Sequence, residues 1–220
     1  MSHERVSPQV ASLLTLLLLA VPTHSLGADG HCAHRKEEPS ATAPTATAPT
    51  TEVRLVDAGL MDQSGAQVRF KSDVLADRIV VMDFVFTTCT TVCPVLSAVF
   101  ARVQGRLGER LEKEVRLVSV SVDPTQDTPA RLKAYSASHR AKTGWTWLTG
   151  SPEDIKQVLE GLGAYTANAA NHAPMVLVGD VRTGRWVRLN GFPSEEQILA
   201  KVDELAANRR EATPVAAKRN

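Results

Sequence analysis

Between residues 52 and 207 the hydrophobic pattern switches repeatedly between strand and helix periods. Ile79 to Phe86 is an apolar run broken only by Asp83, which predicts a strand buried on both faces. Val115 to Val122 alternates Val115, Leu117, Ser119, Ser121 against Arg116, Val118, Val120, Val122, a pattern suited to a central strand. Pro174 to Gly179 predicts another buried strand, paired with Arg185 to Leu189 across Arg182-Thr183-Gly184. Val53 to Val56 and Gln67 to Phe70 flank Gly65 and predict a small N-terminal hairpin. Helical spacing of Val95, Leu96, Val99, Val103 and Leu107 predicts a helix stopped by Gly108. Thr128-Pro129 and Ser151-Pro152 each read as an N-cap followed by proline at the first helical position, the second helix ending near Gly161 or Gly163. Ser194-Glu195-Glu196-Gln197 is a capping box for a last helix, with Ile198, Leu199, Val202 and Leu205 inward. Helices between strands predict an α/β domain with a mostly parallel sheet covered on both faces.

The flanking segments have other compositions. Arg5, the apolar run Val10 to Val21, Pro22 and the small residues Ser25, Gly27 and Ala28 form the three parts of a secretory signal over residues 1–28. The run is shorter than the roughly 20 residues that span a bilayer; an uncleaved anchor is the alternative. No lipobox cysteine follows it, since Cys32 is preceded by Asp29-Gly30-His31. Residues 29–51 form an Ala/Thr/Pro-rich linker without large apolar residues, expected to be disordered. Residues 52–207 have the length of one domain, and residues 208–220 read as a flexible polar tail. The expected location is the periplasm, soluble or held at the inner membrane if the first segment is retained. The formal net charge of +1 and the lack of a basic stripe argue against a nucleic-acid partner.

The chemistry concentrates at Cys89 and Cys93, in Phe86-Thr87-Thr88-Cys89-Thr90-Thr91-Val92-Cys93-Pro94. Two thiols four residues apart where a strand gives way to a helix can share a soft metal ion or close a disulfide. The N–H groups and dipole of a helix start favour the thiolate that both chemistries need. In α/β sheets ligands gather beyond the carboxyl ends of the strands. Asp123-Pro124 follows a strand there. Asn171-His172-Ala173-Pro174 precedes its strand, and it reaches the cysteines only if that strand runs antiparallel to the one before them.

The cysteine segment, Ser119-Val120-Ser121-Val122-Asp123-Pro124-Thr125-Gln126-Asp127-Thr128-Pro129 and the single His172 before a strand resemble, in that order, the Sco/SenC family. The resemblance implies a thioredoxin-like fold: a central mixed sheet with helices on both faces and an N-terminal hairpin. It implies an exported metallochaperone that assists assembly of the binuclear copper centre of cytochrome c oxidase. One copper ion per chain, Cu(I) or Cu(II), would be held by Cys89, Cys93 and His172. Two thiolates and an imidazole suit Cu(I), and soft donors discriminate against hard ions. The expected partners are the copper-site subunit of the oxidase or another exported copper enzyme, together with an upstream copper donor.

Several residues bear on a second reading, a thiol–disulfide oxidoreductase that reduces the cysteines of an apo-copper site. Asp83 lies six residues before Cys89, and thioredoxins resemble this arrangement. A buried carboxylate there could accept a proton from a thiol; otherwise it is an aspartate hydrogen-bonded at a strand edge. The CxxxC spacing favours copper over the tighter CxxC of dedicated oxidoreductases. A turnover enzyme is therefore not the leading expectation, and Cys89 and Cys93 would be its redox dithiol. Asn171 stands where the family often has an acid, and an amide cannot raise imidazole basicity as a carboxylate does. His139 reads as a surface or helix-end residue. Met175 and the three tryptophans read as packing. His31-Cys32-Ala33-His34 could collect copper on its own or be an incidental set of donors.

Overall fold

A computed structural model of the chain describes residues 50–212. The signal or anchor over 1–28, nearly all of the linker with His31, Cys32 and His34, and residues 213–220 lie outside the described residues. A seven-stranded mixed sheet forms the centre, in the order β2-β1-β5-β4-β3-β6-β7. The strands are β1 (Gly59–Asp62), β2 (Gln67–Arg69), β3 (Ile79–Val85), β4 (Val115–Ser121), β5 (Trp145–Thr149), β6 (Met175–Asp180) and β7 (Arg185–Asn190). The helices are α1 (Val92–Leu107), α2 (Pro129–Ser138), α3 (Pro152–Gly161) and α4 (Glu195–Ala212).

The N-caps expected from sequence are present. The Thr128 and Ser151 hydroxyls accept from Arg131 N and Asp154 N. Ser194 N donates to Gln197 Oε1, and Gln197 N returns a bond to Ser194 Oγ. Each of these bonds spans three residues, so the sequence encodes it directly.

Five features differ from the pattern-based expectations. First, only β3–β4 and β4–β5 pair in parallel; β6 runs antiparallel to β3, and β1 runs antiparallel to β5. The sheet is mixed, as the family resemblance implies, and not mostly parallel. Second, the hairpin uses Gly59–Asp62 in place of Val53 to Val56. Its turn fixes the register: Asp62 Oδ1 accepts from Ser64 N and Ala66 N, and Gly65 has φ +87°. The paired strand must therefore end at Asp62. Val53 to Val56 instead runs against α3, with Arg54 N bonded to Gly161 O. The approach is so close that a Cβ at Gly161 would run into the Arg54 carbonyl. Third, β5 has no counterpart among the expected strands; its two tryptophans make a five-residue strand read as isolated packing residues. Fourth, α1 begins at Val92 and not Val95. Its N-cap, Thr91, makes no side-chain capping bond, so no local signal marks the start. The last helix also continues past 207 to Ala212, tied down by Arg209.

Two apolar layers cover the sheet. Leu96, Phe100, Val103, Leu132, Ile198 and Val202 pack on one face, from α1, α2 and α4. Phe70, Leu75, Ile155, Val158 and Leu162 pack on the other, from α3 and the helical turn Phe70–Leu75. Trp145, Trp147 and Trp186 are fully buried, as expected. Gly179 carries no side chain because the Trp186 indole occupies that space.

Candidate metal centre

β3 ends at Val85, and the chain turns at once: Cys89 N donates to Phe86 O before α1 begins. The turn is held from β4 and the loop after it. Asp127, fully buried, accepts from Thr87 N at 3.0 Å and Thr87 Oγ1 at 2.6 Å through one oxygen. Its other oxygen accepts from Ser121 Oγ at 2.7 Å. Sequence reasoning quoted Asp127 within its motif but gave it no role. The signal was there in retrospect: a carboxylate four residues after Asp123, in a turn whose N–H at 127 returns to Asp123 O.

The two cysteines are free thiols in unlike surroundings. Cys89 is partly exposed, whereas Cys93, inside the first turn of α1, is 2 % exposed. Cys93 N donates to Cys89 Sγ at 3.4 Å. Burial by itself would raise the Cys89 thiol. The N–H groups of Cys93, Thr91 and Val92 around the sulfur outweigh it and bring the pKa down to about 7. Burial pushes Cys93 up to about 12, with Cys89 and Asp83 adding to the rise. One sulfur is thus a near-neutral nucleophile and the other a protonated reserve.

His172 comes from the loop before β6. Because β6 lies antiparallel beside β3, the start of β6 sits at the end of β3, and the loop reaches the cysteines. The turn Ala169–Asn171 is capped by Asn168 Oδ1, which accepts from Ala170 N, and His172 N donates to Ala169 O. The ring packs against Phe84 at 5.7 Å. Burial lowers the imidazole pKa, which keeps the ring neutral and able to donate a lone pair. Its Nε2 is buried without a hydrogen-bond partner. Among the described residues, no hydrogen bond joins the Asn171 amide to this ring. Cys89, Cys93 and His172 line one hollow of about 260 Å³ with Phe86, Thr88, Thr90, Thr91, Val92 and Ala170. Among the described residues no three His, Cys, Asp or Glu side chains are gathered at metal-holding spacing, so these donors share a hollow without being drawn together.

Asp83 is fully buried and sits on a central strand between β4 and β6, not at a sheet edge. Trp145 Nε1 donates to Ser119 Oγ at 3.0 Å, and Ser119 Oγ donates to Asp83 Oδ1 at 2.6 Å. Oδ2 has no partner. Burial raises the carboxyl pKa to about 7, against the opposing hydrogen bond from Ser119. Met175 is buried, and Arg188 Nη1 lies 2.9 Å from its sulfur, a position already taken by a cation. His139 caps the end of α2, half-buried against Tyr135 and Trp147, and burial lowers its pKa.

With this geometry in place, comparison with known proteins gives a consistent result. The SCO1/SenC family model matches residues 57–206. A SCO1 protein homolog of Bacillus subtilis is 36% identical over 99 residues, covering 44% of this chain and 49% of that one. The chain thus spans about half the length of the curated relatives it matches. A SCO1/SenC family lipoprotein from Bacillus anthracis superposes with TM-score 0.61 at 29% identity, covering 71% of this chain and 97% of that one. A copper-bound ScoI from Bradyrhizobium japonicum superposes with TM-score 0.52, also at 29% identity, covering 67% and 96%.

Proposed function

The chain belongs to the SCO1/SenC family, and from that premise we propose that it is an exported copper metallochaperone. Its client is the binuclear copper centre of cytochrome c oxidase or a similar exported copper site. It carries one copper ion, Cu(I) or Cu(II), on Cys89, Cys93 and His172. The observation that carries the reading is the shared hollow: two thiols and a neutral imidazole whose buried Nε2 lacks a partner line the same walls. A buried nitrogen without a hydrogen bond is costly unless something fills its lone pair. The donor set of two sulfurs and one nitrogen fits a soft ion. The relative with copper in its structure supports the metal assignment. Holding one ion on all three donors would require His172 and the sulfurs to come closer than they stand here. Cys89 enters the site about half as thiolate near neutral pH, and Cys93 releases its proton on binding. The apolar N-terminal run supports export, with the carrier working in the periplasm.

The test is copper titration of the reduced chain. The expected result is one ion per chain and, for Cu(II), a thiolate-to-metal charge-transfer band. A His172→Ala variant with unchanged spectrum and affinity would overturn the three-donor assignment.

Asp83 favours a second reading, thiol–disulfide exchange. Its free Oδ2 and near-neutral pKa suit a proton acceptor, and its charge is felt at Cys93. In this step Cys89 thiolate attacks a partner disulfide and forms a mixed disulfide. Cys93 then gives its proton to Asp83 and attacks Cys89 sulfur. The partner leaves as two thiolates, reduced by two electrons and protonated by Asp83 and water, and Cys89–Cys93 becomes the disulfide. Asp83→Asn should slow this exchange at neutral pH and leave copper affinity nearly unchanged.

A further inference from the structure

Tyr135, on α2, is half-buried and packs, as Cys89 does, against the core cluster that contains Cys93. It heads a row of rings. Its own ring lies 4.8 Å from His139 and meets Trp147 edge-on at 5.5 Å. His139 also stacks over Trp147 at 6.4 Å, and Trp147 stacks on Trp145 at 5.0 Å. The row thus runs from the half-buried His139 edge into the interior. There Trp145 Nε1 donates to Ser119 Oγ, which is bonded to Asp83. Ser97, one helical turn after Cys93 on α1, acts on the Tyr135 hydroxyl from the other side. Burial pushes that hydroxyl up to about 12; Ser97 opposes the rise, and the charges of Cys93, Asp83 and Cys89 add to it. The phenol therefore lies within the field of both sulfurs.

Tyr135 Oη, Trp147 Nε1 and Ser97 Oγ are all buried without a hydrogen-bond partner. Buried tyrosine and tryptophan usually find a partner for the O–H or N–H, and leaving one orphaned is costly. Phenylalanine at 135 and at 147 would fill the same space with no orphaned atom. Phenylalanine, however, does not yield an electron to a mild radical oxidant, whereas phenol and indole do. Two oxidisable rings in contact, each kept at the expense of a hydrogen bond and set beside a reactive dithiol, are not accounted for by packing alone.

We propose that Tyr135, Trp147 and Trp145 form a one-electron conduit that repairs radical damage at the dithiol and carries the oxidising equivalent to the α2 surface at His139. The oxidant is a peroxide-derived radical, which reaches the partly exposed Cys89 and takes one electron from its thiolate. A thiyl radical is left. Tyr135 returns one electron and its hydroxyl proton, so a thiol S–H bond forms and the Tyr135 O–H bond breaks. The oxidising equivalent is then shared with Trp147 and Trp145, because rings in contact exchange electrons far faster than separated ones. An enediol reductant such as ascorbate closes the cycle at the half-buried edge. It gives one electron and one proton, the Tyr135 O–H bond re-forms, and the reductant is left as the radical. Without the conduit the thiyl radical is trapped by the second thiol or by dioxygen and moves up the oxidation ladder of cysteine. This chemistry needs only the reduced dithiol; bound copper takes no part in it.

The experiment exposes the reduced, copper-free full chain to azide radicals generated by pulse radiolysis, with ascorbate present. Mass spectrometry counts the surviving Cys89 and Cys93 thiols, and transient absorbance follows the sulfur and tyrosyl radicals. Tyr135→Phe removes only an oxygen that has no partner, and Trp147→Phe keeps a ring in the row, so both should fold. Tyr165→Phe, at an exposed tyrosine outside the row, is the control. Thiol loss per radical should more than double in Tyr135→Phe and in Trp147→Phe and stay at the wild-type value in Tyr165→Phe. In Tyr165→Phe, where Tyr135 is the one tyrosine left, a tyrosyl signal should grow as the sulfur radical decays. Equal thiol loss in every variant overturns the conduit, and so does the lack of a tyrosyl signal in Tyr165→Phe. Greater loss in Tyr135→Phe that comes with a Cys93 already open to alkylation before irradiation would make Tyr135 a packing residue, and overturns it as well.

Discussion

Asp83 and Asp180 are both fully buried on neighbouring strands of one sheet, yet they are held in opposite ways. Asp180, at the end of β6, meets a guanidinium: Arg209 Nε lies 3.1 Å from each of its oxygens, and Asp77 and Arg182 extend the network. Burial pushes the Asp180 pKa up, but Arg209 overrides it and holds the carboxyl below its usual range. Asp83 has only the Ser119 hydroxyl, and burial wins. The difference extends to the two ends of the sheet. The Asp180 end is crossed by ion pairs that pin the last helix. The Asp83 end carries two thiols, an imidazole and the buried carboxylates of Asp83 and Asp127. One end is built for cohesion and the other for reactivity, and burial alone predicts neither; the partner of the buried group decides.

Substitutions should therefore separate along this axis. The largest effect is expected at the reactive end, on copper alone. His172→Ala or Cys93→Ser should weaken copper binding by more than about a hundredfold, read by competition with a Cu(I) chelator. Urea midpoints should move little for His172→Ala, because its Nε2 makes no hydrogen bond to lose. A large stability loss with intact copper binding would reverse the comparison.

Next comes the cohesive end. Arg209→Ala strands the buried Asp180 carboxylate and should cost roughly 3–5 kcal/mol in urea unfolding, with copper affinity unchanged. Because the Asp180 pKa is lowered, its contribution is present above the ordinary carboxylate range and lost as pH falls through the folded value.

Asp83 should show the opposite sign. Its folded pKa of about 7 exceeds the ordinary carboxyl value of 3.8. Between those values the native state keeps a proton that the unfolded chain has released, so stability falls as pH rises through that window. Asp83→Asn should flatten this slope and stabilise the protein at pH 8 by up to a few kcal/mol. A variant with the same pH slope as wild type would show that Asp83 is not the buried acid described here.

The smallest effect is expected in the loop that carries the thiols. Asp127→Asn keeps the shape but weakens the clamp on Thr87, at about 1–2 kcal/mol. The loosened loop should lift the N–H groups of Thr91, Val92 and Cys93 from the Cys89 sulfur. Alkylation of the metal-free reduced protein should then show a Cys89 midpoint above the wild-type value of about 7, while Cys93 stays unreactive.

The sequence by itself determined the parts whose causes are local. Thr128, Ser151 and Ser194 announce their helices because each capping bond closes within three residues. The apolar runs of β3 and β6 follow from burial on both faces, and Cys89 and Cys93 lie together because one short loop carries both. Tertiary structure alone decided what depends on pairing between distant segments. Val53 to Val56 reads as a strand and Trp145 to Thr149 as packing residues, but the Asp62 turn and the parallel partner β4 made the second a strand and left the first outside the sheet. His172 could be suspected from its resemblance, but only antiparallel pairing of β6 with β3 brings it to the thiols' hollow. The Asp127 clamp, the Ser119–Trp145 chain on Asp83 and the Arg209–Asp180 pair are likewise invisible in one dimension. A hydrogen bond or ion pair across the sheet depends on register, and register is set by the whole packed core rather than by the residues that use it.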